Sequence, residues 1–264
     1  MNYFKSMLIE ILVLVILLKS ILWRWVMVIR EIKGLENGYF ENIEGTSEWY
    51  YSHVSSKSFC DLYEAEEIVN DGYTFVGMGC ALIHYPDGKV FKPFEIKENI
   101  YVEKPVFLNG KIYFLEVDFD KKVMRVIYID SEELISSNFE DGKESNEDKF
   151  CNISIEDIKH VEAEISLSEV EDCYNLMLKI SPMMITRAGN DGYFEIIYPE
   201  KKRYNIDVRE GFDFRNGDDM YFASWDENPE YEDFIVVRDY ESGEVKSVEK
   251  GSIFRMPNGE MWKI

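Results

Sequence analysis

Apolar residues fall along this chain in two distinct patterns. From Met7 to Ile29 they run almost unbroken, which predicts a single hydrophobic helix. Beyond that segment they come in short runs of Tyr, Phe, Val and Ile that alternate with polar residues, the pattern of half-buried β-strands. Asn-Gly and Asp-Gly pairs stand between many of these runs. Eight of the sixteen glycines directly follow Asn or Asp: Gly38, Gly72, Gly88, Gly110, Gly142, Gly192, Gly217 and Gly259. Such a pair between apolar runs is a strong hairpin signal, because a type I′ turn needs positive φ at both central positions. The pattern therefore predicts serial β-hairpins.

Two hairpin phrases alternate. The first is an apolar strand, Asn-Gly, and a strand with adjacent aromatics. It occurs at 105–114, 212–222 and 253–262, turning at Gly110, Gly217 and Gly259. The second is a β-branched strand, a charged turn and a short polar strand. It occurs at 82–91, 196–204 and 236–245, with Val126–Asp130 as a degenerate fourth copy. From Gly217 to Gly259 is 42 residues, and from Tyr85 to Tyr128 is 43. Four strands per unit at that period is the spacing of propeller blades.

On these phrases, residues 36–264 resemble β-propeller repeat proteins at the level of fold. The resemblance implies an all-β domain of about five four-stranded blades, each burying its faces against its neighbours. Four blades or an open β-sandwich are the alternatives. Strands within Asn37–Val54 are expected to share one sheet with the C-terminal hairpin and so close the ring. Residues 62–81 are expected to form a hairpin turning at Asp71-Gly72. The acidic stretch 131–170 breaks the period, and a mobile insertion is expected near 136–150, with Val161–Ile165 as an outer strand. The resemblance carries no active site: the only Trp-Asp pair is Trp225-Asp226, and no double-glycine blade occurs.

Charge changes the picture of partners. The net charge is −22; residues 1–34 carry five cations against two acids, so the remaining 230 residues carry −25. A body this acidic repels phosphate backbones, so no nucleic-acid partner is expected. Domain boundaries follow the same division, with a hydrophobic helix over 1–33 and an acidic all-β domain over 34–264.

The helix is long enough to cross a bilayer, and Trp23 and Trp25 resemble an interfacial belt. Glu10, Lys19 and Arg24 interrupt it. A single-pass membrane anchor over residues 7–29 is the favoured reading. Lys19, Arg24, Arg30 and Lys33 toward its C-terminal end then keep the body cytoplasmic. A signal peptide, an interfacial helix, and a soluble cytoplasmic protein starting at Met27 are the alternatives.

Recognisable chemistry is sparse. Cys60, Cys80, Cys151 and Cys173 are widely spaced and read as free thiols, mostly buried. His53, His84 and His160 form no zinc-hydrolase frame. No nucleophile elbow, P-loop or dinucleotide cradle is present, so no catalytic residue, cofactor or metal is assigned. Asp226–Asp233 spaces oxygen ligands alternately, but Tyr231 stands where a calcium loop needs Gly and Val237 where it needs Glu.

The residues singled out for binding are Trp49, Tyr51 and His53, where His53 follows an aromatic run that can wall a pocket; Arg187, a cation inside an acidic body; and Trp225. The expected role is a non-catalytic binding module that presents propeller loops to a protein or carbohydrate partner. The alternatives are a glycan-acting hydrolase with carboxylates at a central channel, and a structural or regulatory accessory protein.

Overall fold

The computed structural model describes residues 29–35, 39–55, 60–137, 155–180, 182–189, 191–256 and 259–264. Residues 1–28 of the expected hydrophobic helix and 138–150 of the expected insertion lie outside the described residues. Among the described residues, no helix is long and apolar enough to cross a membrane. Contacts divide the chain at Lys33/Gly34, and every strand belongs to the unit Gly34–Ile264.

This unit is mostly antiparallel β-structure. Nine strands form the first sheet: β1 (Glu41–Asn42), β2 (Trp49–Ser55), β3 (Met78–His84), β4 (Val90–Phe91), β5 (Ile100–Val102), β6 (Val106–Leu108), β7 (Lys111–Asp118), β8 (Val123–Asp130) and β9 (His160–Ser166). Their order is β1-β2-β3-β5-β7-β8-β9, with β4 on β3 and β6 on β7. The second sheet is a four-stranded meander of β10 (Met177–Lys179), β11 (Met184–Gly189), β12 (Tyr193–Tyr198) and β13 (Lys202–Asn205). The third repeats that plan with β14 (Gly211–Asn216), β15 (Asp219–Asp226), β16 (Glu232–Asp239) and β17 (Val245–Lys250). The fourth has only β18 (Ile253–Arg255) and β19 (Met261–Lys263).

The strand pairing corrects the expected propeller. Among the described residues there is no closed barrel or closed propeller, and the strands divide nine, four, four and two rather than into five equal blades. The hairpin signals are local, whereas sheet membership depends on which edges pair. The parallel contact Met78↔Tyr101 joins β3 to β5 and stitches successive hairpins into one sheet. Among the described residues β18 and β19 pair only with each other, so the expected sheet shared by the two ends of the domain is not formed there. The ends meet instead through a 3.0 Å ion pair from Arg255 Nε to Glu44.

Residues 62–81 are not a hairpin either. Leu62–Asn70 is a helix, α1, opened by a capping box in which Asp61 accepts from the Glu64 amide and Glu64 accepts from the Asp61 amide. Leu62 and Ala65 recur at helical spacing and are buried, with Ile68 and Val69 packed beside them. Gly72, at φ +82°, follows the helix end rather than turning a hairpin. A second short helix, α2 (Ser131–Ser136), follows β8.

Other turn signals hold. Asn109 and Gly110 take φ of +52° and +79° in the two-residue loop between β6 and β7, as a type I′ turn requires. At the next Asn-Gly, Asn216 pairs with Asp219, so Gly217 leads the loop instead of ending it. Val161–Ile165 lies within β9 and pairs with β8 as the outer strand.

Both faces of the first sheet are buried. On β7, Ile112 and Phe114 enter one core while Tyr113, Leu115 and Val117 enter the other, by strict alternation. The second of these cores also takes Leu62 and Ala65 from α1 and Leu178, Ile185 and Ile197 from the second sheet. A third core joins the second and third sheets, where Phe194 stacks on Phe212 (centroids 4.5 Å) and meets Phe222 edge-on (5.3 Å).

Candidate functional site

A deep cleft opens on the first sheet. It has a volume of about 680 Å³ and is lined by Tyr39, Glu41, Tyr51, Ser52, His53, Ser55, Asp61, Met78, Tyr101, Glu103 and Lys104. Strand pairing brings most of these together. Glu41 lies directly opposite Tyr51 in the β1–β2 ladder, Ser55 lies opposite Met78, and Met78 lies beside Tyr101. The Tyr101 hydroxyl donates to the Cys60 carbonyl at 3.3 Å, which ties the strand to the segment just before α1.

Hydrogen bonding gives the polar groups fixed and different characters. Glu41 accepts from the Tyr39 hydroxyl at 2.8 Å and from the Tyr51 hydroxyl at 2.9 Å. Those two phenols hold its carboxyl below the usual carboxylate range. Glu103 moves the other way: burial pushes its pKa up, against the pull of the Lys104 amide, which donates to it at 3.0 Å. Burial also lowers the pKa of His53, whose ring stands edge-on to Tyr51 at 5.4 Å. Burial and then Glu41 raise the Tyr51 phenol, so it stays a donor.

Tyr51 and His53, two of the sequence candidates, therefore share this cleft. Trp49 does not line it. It is 1% exposed and packs against His84 and Phe91. It sits two residues before Tyr51 on the same strand face, but deeper in the core.

Arg187 is elsewhere, on β11, and is 2% exposed. Its Nη2 lies 2.8 Å from Asp172, and Glu171 and Glu195 lie 3.6 Å from Nη1. Burial opposes its charge, but the Asp172 carboxylate outweighs that and holds the guanidinium pKa above its ordinary value. It ties the segment before β10 to β11 and floors a separate depression with Tyr63, Tyr174 and Tyr193. Trp225, 40% exposed on β15, stacks on Tyr231 at 6.4 Å and belongs to the third sheet.

Sequence reading missed Tyr39, Glu41, Tyr101, Glu103 and Lys104. Glu41 carried a usable signal, since it sits two residues from Tyr39 in a Tyr-Phe-Glu run. Nothing local linked it to Glu103, which arrives through β5. Among the described residues, no group of three or more His, Cys, Asp and Glu is placed to hold a metal. No protein-family model matches the chain, and no curated protein matches it.

Proposed function

We propose that this protein is a binding module whose first-sheet cleft takes a carbohydrate. The observation that carries this reading is Glu41, an anionic acceptor fixed by two tyrosines inside a cleft with aromatic walls. Sugars offer apolar C–H faces that pack on aromatic rings and hydroxyls that donate to carboxylates. The cleft volume falls within the range of small-ligand sites, roughly 300–1,000 Å³.

A glycan array probed with the full chain, followed by calorimetric titration of the glycans retained, tests the binding. Saturable binding that Glu41→Gln weakens supports the reading. An array with no signal, or binding indifferent to Glu41→Gln, overturns it.

One observation favours a second reading, a glycan-acting hydrolase. Glu41 and Glu103 face one cleft with pKa values displaced in opposite directions, which is how a carboxylate and a carboxylic acid are kept distinct. Release of reducing ends from a bound glycan, abolished by Glu103→Gln with binding retained, separates catalysis from binding alone.

A further inference from the structure

The hydrogen bonds around the first-sheet cleft leave its wall rich in acceptors and poor in donors. Every hydroxyl in the lining is already engaged within the protein. Tyr39 and Tyr51 both donate to Glu41, at 2.8 and 2.9 Å. Tyr101 donates to the Cys60 carbonyl at 3.3 Å. Ser55 donates to the Gly77 carbonyl and Ser52 to the His53 carbonyl, each at 3.4 Å. A hydroxyl has one proton to give, so these groups offer a ligand lone pairs only.

Three carboxylates, Glu41, Asp61 and Glu103, line the same space, and each keeps acceptor capacity. One oxygen of Glu103 accepts from the Lys104 amide at 3.0 Å, and one oxygen of Asp61 accepts from the Glu64 amide at 2.8 Å. The second oxygen of each accepts nothing from a described residue. Glu41 takes one phenol on each oxygen, and a carboxylate has about four lone-pair sites, so roughly two remain. Lys104 is the one ammonium among the described lining residues. It is exposed and makes no hydrogen bond or ion pair to a described residue. Burial works against the charged form of His53 and also against that of Glu103, whose charge is incompletely matched in the cleft.

We propose that the ligand of this cleft is a sugar bearing free amino groups, its ammonium nitrogens donating to the carboxylates and its C–H faces packing on the tyrosine rings; this rests on the carbohydrate reading above. An ammonium brings three N–H donors, a positive charge and no acceptor, which complements an acidic wall with no hydroxyl proton left to give. An N-acetylated sugar carries no charge and adds a carbonyl for which those hydroxyls have no proton. An acidic sugar finds Lys104 but meets three carboxylates.

Calorimetric titration of the full chain at pH 6 and one ionic strength, with β-1,4-linked tetrasaccharides of glucosamine, N-acetylglucosamine and glucose, tests this. The glucosamine compound is expected to bind saturably and about tenfold or more tighter than either neutral one, the size of one charge-assisted hydrogen bond. Asp61→Asn keeps the helix cap, since Asn caps as well as Asp. It should weaken the glucosamine compound alone, by about threefold, the effect of one exposed charge. Lys104→Met removes no bond to a described residue and should tighten that compound by a similar factor. A neutral tetrasaccharide that binds as tightly as the glucosamine compound overturns the amine inference and leaves the carbohydrate reading standing. Glucosamine binding that neither substitution changes also overturns it, since that is general attraction of a polycation to an acidic chain. So does an absence of binding by all three compounds, and the glycan array then decides the carbohydrate reading separately.

Discussion

The Tyr51 phenol donates a 2.9 Å hydrogen bond to Glu41, the residue directly across the β1–β2 ladder from it. Strand register therefore sets the charge of the cleft. Tyr51→Phe removes one of the two donors and is expected to move the Glu41 pKa back toward its ordinary value, read by a carboxyl NMR titration. Because the folded pKa is depressed, the stabilisation is present above the unfolded value and lost as pH falls through the folded one. The variant is expected to lose about 1 kcal/mol at neutral pH and nothing under strongly acidic conditions, as measured by urea unfolding.

Glu103 has the opposite sign. Its folded pKa is raised by burial, so the ionised form costs stability once pH rises above the ordinary carboxylate range. Glu103→Gln is expected to raise the urea midpoint at pH 8 and to leave it nearly unchanged at pH 4. Equal effects at both pH values would assign the gain to packing instead of charge.

Phe194 anchors the core between the second and third sheets and is 1% exposed. Phe194→Ala is expected to cost about 3–5 kcal/mol, the range for deleting a buried aromatic. Denaturant unfolding monitored by far-UV circular dichroism measures it.

Gly45 has φ +98°, and an added Cβ would fall 2.1 Å from the Phe107 carbonyl oxygen. Backbone cannot retreat as a side-chain tip can. Gly45→Ala is therefore expected to destabilise by more than about 1 kcal/mol, whereas Gly110→Ala, with open space around its Cβ and only its φ to strain it, is expected to cost less. Paired melting curves of the two variants check the ranking.

Cys80 and Cys173 are buried thiols, and burial pushes both pKa values far above that of a free cysteine. Cys60 is half-buried and is pushed up to about 11. Thiolate is the reactive form, so all three are expected to resist alkylation at pH 8 in the native protein and to label fully in urea. Peptide mapping by mass spectrometry reads each site separately.

How much of the cleft was legible depends on how each residue reaches it. Tyr51 and His53 stood out because they alternate on one strand beside other aromatics, which is local information. Glu103 did not, because β5 reaches β3 through a single parallel contact that no turn residue announces. Trp49 looked like a binding residue and is core, since aromatic type alone does not say how deep a position lies. Arg187 stood out as a cation in an acidic chain, and it is held by carboxylates on three sides.

The sequence by itself determined the β class, the Asn109-Gly110 turn, the Val161–Ile165 outer strand and the hairpins at 196–204, 212–222 and 236–245. Each of these depends on residues within one hairpin, where steric limits on φ and alternation across a strand act at short range. Tertiary structure alone decided that the first nine strands form one sheet, that the 62–70 helix packs into its core, and that Glu44 meets Arg255. Those outcomes depend on which strand edges and apolar faces find each other, and the free energy of that choice is spread over residues far apart in the chain.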